Sequence, residues 1–402
     1  MTIQKLSALT KTASAAVTAF GILAFMLLVG ALTATKNADA LLAPTTPDAA
    51  EEADDLKTRI IAAYDDNIVG FDKFISVYGI SQKLLGTSIY EDAGTGYLIR
   101  DSADFLHYHT EPADAQPYAD AVAVLRDMLA DADIPFLYLQ SPSKEIEGYT
   151  KFPLGIDYAS TDNARAMREA LRAHGIDLLS FAEIFEENGI DPASQFYRTD
   201  HHWTTQTAFE AFTVILPYLN AQYGWSLDPA LCYADNWTSL YQPQTFLGSL
   251  GRRIGADLAG LDDYTFIEPA FDTNYNVYYP PSSTEVPYWT GTFRESMVRD
   301  FLLYAEDVEA NRYASYFQYD YGEIIIENLL TDNDLHIAIL KDSFALPFTA
   351  FLSTAVGEID MIDLRSYEGS VAEHLLETKP DLVIMMYANS TFKEAAMYEF
   401  FD

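Results

Sequence analysis

The 402-residue chain carries 60 acidic against 24 basic side chains, a formal net charge of −36. A phosphate-backbone binder needs clustered Lys and Arg, which excludes nucleic acid, and 49% apolar with 14% aromatic residues excludes a disordered acidic chain. The single Cys232 excludes an intramolecular disulfide and a Cys-rich zinc site.

Residues 1–12 hold Lys5 and Lys11, and residues 13–33 form an apolar run free of charge. Such a run, preceded by lysines, predicts either a transmembrane anchor or a signal peptide cut after the Ala38-Asp39-Ala40 pattern. Both place the rest of the chain outside the cytoplasm. Residues 34–58, with Pro, Ala and acids and no periodicity, predict a linker, and 59–402 a folded domain.

From residue 115 onward helical spacing alternates with short apolar runs. Helices are expected over Tyr118–Ala132, Asn163–Ala173 (begun by Thr161 or Asp162) and Thr205–Tyr223, which ends at Gly224. Strands are expected at Pro135–Leu139, Ile176–Leu179, Ile337–Leu340, Ile359–Leu364 and Leu382–Met386. Short buried strands between helices predict an α/β domain with a parallel sheet covered on both faces. The stretch of about 226–325 breaks this rhythm, and ten of the 27 tyrosines lie in 264–321. It predicts an inserted Tyr-rich region of hairpins and long loops, whose rings pack on one another rather than on a sugar.

The string Thr199-Asp200-His201-His202-Trp203-Thr204 stands before the third of these helices. In a turn, residues two apart can project to one side, so Asp200 can hold the imidazole of His202 and fix its tautomer. The alternative is a histidine pair satisfied in the core or capping the helix. Further on, Lys341-Asp342-Ser343-Phe344 follows the run IAIL directly. A serine at a strand-to-helix turn exposes its hydroxyl past the carboxyl edge of a parallel sheet, near N–H groups able to bind an oxyanion. An ordinary N-cap serine is the plainer alternative. Ligands of open α/β sheets bind past that same edge. Lys144, Ser343, Arg365 and Asn389 all follow strand candidates there, and Asp200 and His202 would join them.

The motifs TDHHWT (199–204), FLGSLGRRIG (246–255), KDSF (341–344) and YANST (387–391) together resemble the DHHW family, a branch of SGNH-like hydrolases that includes alginate O-acetyltransferases. The resemblance implies a three-layer SGNH-hydrolase-like sheet flanked by helices. It gives Asp200 as orienter, His202 as base and Ser343 as nucleophile. His201 occupies the middle position of the motif, leaving open which histidine is the base. Candidates for substrate or oxyanion contact are His201, Asn389, Arg365, Lys144 and Arg252, the last beside glycines that permit a tight turn close to a ligand. The expected function is an exported O-acetyltransferase or acetylesterase acting on a cell-envelope carbohydrate. Given the net charge, that carbohydrate would be neutral or a wall glycan. A membrane-bound acyl-carrier partner is implied by the resemblance. No cofactor or metal is expected. The alternatives are a non-catalytic glycan-binding scaffold and a metal-dependent hydrolase using Asp200, His201 and His202 with His107 and His109.

Overall fold

The computed structural model describes residues 24–36, 68–92, 96–280, 286–388 and 394–401. The chain divides into two units, Met1–Ser81 and Gln82–Asp402. In the first, residues 24–36 are helical, and the Thr33 hydroxyl accepts a hydrogen bond from the Val69 N–H (3.1 Å). Among the described residues no helix is long and apolar enough to cross a membrane. Residues 1–23, which hold half of the expected 13–33 run, lie outside them, as does most of the expected linker.

The second unit is built on an eight-stranded sheet in the order β5-β4-β13-β11-β12-β10-β8-β9. Its parallel half comprises β4 (Phe136–Gln140), β5 (Leu178–Ser180), β11 (His336–Lys341), β12 (Glu358–Ile362) and β13 (Leu382–Tyr387). Every residue of β4 and β13 is buried, as a parallel strand covered on both faces requires. The side chains sort by alternation. Leu137, Leu139, Ile337, Ile339, Ile384 and Met386 share one core with α3 (Thr205–Tyr223) and α5 (Ala345–Leu352). Phe136, Tyr138, Ala338, Leu340, Val383 and Met385 enter the other, with α1 (Gln116–Asp131), α2 (Ala159–Ala173) and α6 (Val371–Thr378). The three layers of the expected SGNH-like α/β fold are therefore present.

The sheet exceeds the expectation by three strands. β8 (Tyr275–Tyr278), β9 (Trp289–Gly291) and β10 (Glu323–Asn328) add to β12 in antiparallel fashion. The Tyr-rich insertion thus completes the main sheet, and it also supplies the ribbon of β6 (Trp237–Phe246) and β7 (Asp262–Pro269). Tyr264, Tyr275, Tyr313 and Tyr316 are fully buried core residues, so these rings pack. β1 (Ile89–Asp92), β2 (Gly96–Arg100) and β3 (Leu106–Tyr108) form a separate small sheet.

α3 runs over the expected residues, capped by the Thr204 hydroxyl on the Thr207 N–H and closed by Gly224 at φ 71°. α2 begins four residues earlier than its sequence signals predict. Its first turn is served by Glu145, whose carboxylate accepts from the Thr161 N–H (3.1 Å) while the Thr161 hydroxyl donates to the Glu145 carbonyl (2.7 Å). A cap from another segment leaves no local signature.

Candidate active site

The loop carrying Asp200 is a closed hairpin. Phe196 and Trp203 bridge its base, and the Asp262 carboxylate of β7 accepts from the Arg198 N–H (2.9 Å) and the Thr199 N–H (2.8 Å). Its far side rests on α4 (Ser249–Ile254). A Cβ on Gly248 would stand 2.3 Å from the Asp200 Cβ, and one on Gly251 2.9 Å from the Thr199 Cβ. The glycines of FLGSLG therefore permit a close approach to the motif loop rather than to a ligand. That approach lets the Ser249 N–H donate to Asp200 Oδ2 at 2.6 Å.

Asp200 Oδ1 accepts from His202 Nδ1 (2.6 Å) and from the His202 backbone N–H (3.0 Å). Nδ1 thereby carries the proton, and Nε2 is left to accept from the Ser343 hydroxyl at 2.7 Å. Burial alone would raise the Asp200 carboxyl, but the two imidazoles and these hydrogen bonds outweigh it and hold it well below the usual carboxylate range. His201 does not reach the serine: its Nδ1 pairs with Ser249 Oγ (2.8 Å), and burial drives its imidazole down to about 3. His202 is clamped by two rings, His201 at 3.7 Å and Tyr313 at 3.9 Å between centroids, the latter stacked nearly parallel at 11°. Trp203 supports this clamp from behind, its indole donating to Tyr313 Oη (3.1 Å) and to the Phe344 carbonyl (3.0 Å).

Ser343 stands in the turn between β11 and α5. Asp342 shapes that turn: Oδ1 accepts from the Phe344 N–H (3.0 Å) and Oδ2 from the Ala388 N–H (2.6 Å), tying it to the end of β13. Burial nevertheless pushes Asp342 up to about 6. Because Asp342 occupies the Phe344 N–H, the Ser343 N–H is the donor in this turn that has no partner among the described residues.

Above the serine lies a cavity of about 320 Å³, lined in part by His107, Lys144, His201, Asp342, Ser343 and Arg365. Lys144 donates to the carbonyls of Arg198 (3.0 Å) and Asp200 (2.5 Å), and burial lowers its amine to about 8. It holds the loop from beneath. Arg365 reaches the wall while paired with Asp363 (2.6 Å) and Asp320 (3.3 Å). Arg252 donates to the Glu309 carbonyl (2.9 Å) and does not line the cavity. Asn389 lies outside the described residues.

Two groups among the described residues could hold a metal ion: Asp200, His201 and His202, and Glu323, Asp360 and His374 elsewhere. In the first, Asp200 already accepts three N–H groups. His107 belongs to neither group; it pairs with Asp101 (3.0 Å) and burial lowers it to about 4.

Sequence reasoning missed Tyr313, Ser249 and Asp342. Asp342 sits inside the recognised KDSF string, but Tyr313 is one of many tyrosines in a region without periodicity.

Comparison with known proteins agrees with this fold. Residues 98–256 match the family described as SGNH hydrolase-like domain, acetyltransferase AlgX. That segment contains Asp200 and His202 but not Ser343. The fold is similar to Bacillus cereus PatB1, at 21% identity and a TM-score of 0.62, covering 75% of this chain and 99% of that one. It is also similar to a DHHW family protein from Eubacterium siraeum, at 13% identity and a TM-score of 0.57, covering 78% and 96%. No curated protein sequence matches. The resemblance read from the motifs, and the SGNH hydrolase-like fold it implied, are borne out.

Proposed function

We propose that this protein is an O-acyl ester enzyme, an O-acetyltransferase or acetylesterase, acting outside the cytoplasm on a carbohydrate of the cell envelope. The observation that carries the proposal is the alignment of Asp200, His202 and Ser343 through contacts of 2.6 Å and 2.7 Å. The match to an acetyltransferase family model supports the acyl chemistry. The excess of acidic residues argues against a polyanionic acceptor.

In the first half-reaction Ser343 Oγ attacks the acyl carbonyl as His202 Nε2 takes its proton. The Ser343 N–H meets the developing oxyanion. The donor's alcohol departs with the proton held by His202, leaving an acyl ester on Ser343. In the second half-reaction an acceptor hydroxyl gives its proton to His202 and attacks that ester, and Ser343 leaves with the same proton. Water in place of the sugar makes the reaction an esterase. Asp200 stabilises the imidazolium formed in both halves. The donor would be presented by a membrane-bound acyl-carrier partner.

Incubating the protein with 4-nitrophenyl acetate and quenching early tests the reading. Mass spectrometry should find an acetyl group on the Ser343 peptide of the parent and none in Ser343→Ala. Turnover by Ser343→Ala at the parental rate would overturn it.

A further inference from the structure

Beside the catalytic cavity lies a second of about 450 Å³, and the two share Pro142, Ser143 and Glu145 as a common wall. Both fall within the range of roughly 300–1,000 Å³ usual for ligand pockets. The second sits past the carboxyl ends of β4 and β5, between α2 and the segment 181–195, on the same sheet edge as Ser343. The dividing wall is polar. Ser143 Oγ and Ser160 Oγ pair at 2.8 Å, and Glu145 is buried.

One group in this cavity is unaccounted for. Ser141 is 1% exposed and lines the cavity, yet its hydroxyl has no hydrogen-bond partner among the described residues. A buried hydroxyl left unpaired costs about 1–3 kcal/mol, so a polar group brought in by a ligand, or a water it displaces, is expected there. The rest of the lining is of the kind that meets a sugar: the Tyr149 ring, the Gln195 amide and several carboxylates. Its lining holds four carboxylates, Glu145, Glu147, Glu183 and Glu186, and one cation, Arg168. From outside the lining Arg165 pairs with Glu147 (2.8 Å) and Arg172 with Glu183 (2.5 Å), so the excess negative charge lies on Glu145 and Glu186. Arg168 is itself engaged by Gln140 (3.0 Å) and Glu183 (3.2 Å). A polyuronate would be repelled here, while neutral hydroxyls and amides would find acceptors.

We propose that this second cavity is a subsite for the continuing chain of the acceptor, and that it selects an uncharged glycan of at least two sugar units. One unit lies over Ser343 and the next crosses the Ser143–Glu145 wall. The proposal rests on the acyl-transfer reading for its purpose, but the binding it asserts can be measured without turnover.

The test uses the full chain with Ser343→Ala, titrated calorimetrically with a neutral N-acetylhexosamine oligomer, its monosaccharide and an oligouronate of equal length. The oligomer should bind at least tenfold tighter than the monosaccharide, and the oligouronate should not bind. Ala182→Trp, at a position that lines this cavity and not the one over Ser343, should erase the oligomer's advantage. That variant should keep the parent's circular-dichroism spectrum and a cooperative unfolding transition, which shows that it folds. Glu186→Lys, at an exposed position, should admit the oligouronate. Equal affinity for oligomer and monosaccharide, or an oligomer preference that survives Ala182→Trp, would overturn the subsite. Failure of the parent to turn over 4-nitrophenyl acetate would overturn the enzymatic reading and leave the binding result standing.

Discussion

Replacing Asp200 by Asn changes one atom and removes one charge, and the surroundings of Asp200 determine what that does. Both carboxylate oxygens are acceptors, Oδ2 for the Ser249 N–H and Oδ1 for two donors on His202. An amide can satisfy only one side. With its oxygen toward His202 it keeps two bonds and loses Ser249. Turned over, it keeps Ser249, faces the His202 N–H with its own donor, and reverses the imidazole tautomer. The first orientation retains the larger number of bonds, so Asp200→Asn should keep the productive tautomer and lose chiefly the charge. A charge pair about 4 Å apart is worth ~4 kcal/mol at an effective dielectric of about 20. That predicts a fall of roughly three orders of magnitude in kcat, against about four where the amide fixes the wrong tautomer. Leaving the Ser249 N–H unpaired should cost about 1–3 kcal/mol of stability. The assay is steady-state hydrolysis of 4-nitrophenyl acetate together with the thermal unfolding midpoint. A variant within tenfold of the parent in kcat would refute the role given to this carboxylate.

The other expectations follow from the same contacts. His201→Gln should keep activity within about tenfold, whereas His202→Gln should lose at least three decades in the same assay, because only His202 touches Ser343. Tyr313→Phe keeps the stacked ring and loses only the hydroxyl bonded to Trp203 and Phe344, so its unfolding free energy should drop by about 1–2 kcal/mol with kcat nearly unchanged; Tyr313→Ala should lower kcat as well. Lys144→Met removes the donor to the Arg198 and Asp200 carbonyls and should slow acylation without weakening acceptor binding in the Ser343→Ala background. In the Glu323–Asp360–His374 cluster, burial and the Asp360 carboxylate push Glu323 up to about 7, and the contact with Asp360 raises His374 despite its burial. Both groups bind more protons folded than unfolded, so their contribution is full at low pH and is lost as pH rises from about 4.5 through 7 and beyond. Denaturation midpoints measured from pH 5 to 8 should therefore fall less steeply in Glu323→Gln than in the parent.

Much of this site was legible in the sequence because its chemistry comes in short strings. Asp200 and His202 are two residues apart, and Ser343 follows its strand at once, so local patterns carried them. The parallel strands were legible for a related reason, since burial on both faces demands unbroken apolar runs such as LVIMM. What escaped was built from contacts between distant segments. Glu145 caps α2 from sixteen residues away, Ser249 braces Asp200 from forty-nine, and Tyr313 stacks on a histidine more than a hundred residues earlier. Nor could the insertion's strands be recognised as part of the main sheet, because Tyr275–Tyr278 and Trp289–Gly291 take their meaning only from pairing on the edge of β10 and with each other.

The contacts that hold the site run largely through backbone atoms. The Asp200 loop is fixed by the Asp262 carboxylate on two N–H groups, by Lys144 on two carbonyls and by the amide of Ser249. The serine turn is fixed by Asp342 on the N–H groups of Phe344 and Ala388. Three polar side chains thus pin main chain and one main-chain amide pins the Asp200 carboxylate, leaving His202 to join the two halves through its own nitrogens. Such a frame needs particular residues at only a few places: the pinning side chains, and Gly248 and Gly251, where a Cβ would collide with the loop. This is why the glycines and polar residues of TDHHWT, FLGSLG and KDSF occur as a set. The serine and the histidine must be brought within 2.7 Å across 141 residues of chain, and each string supplies one side of that contact or the space to make it.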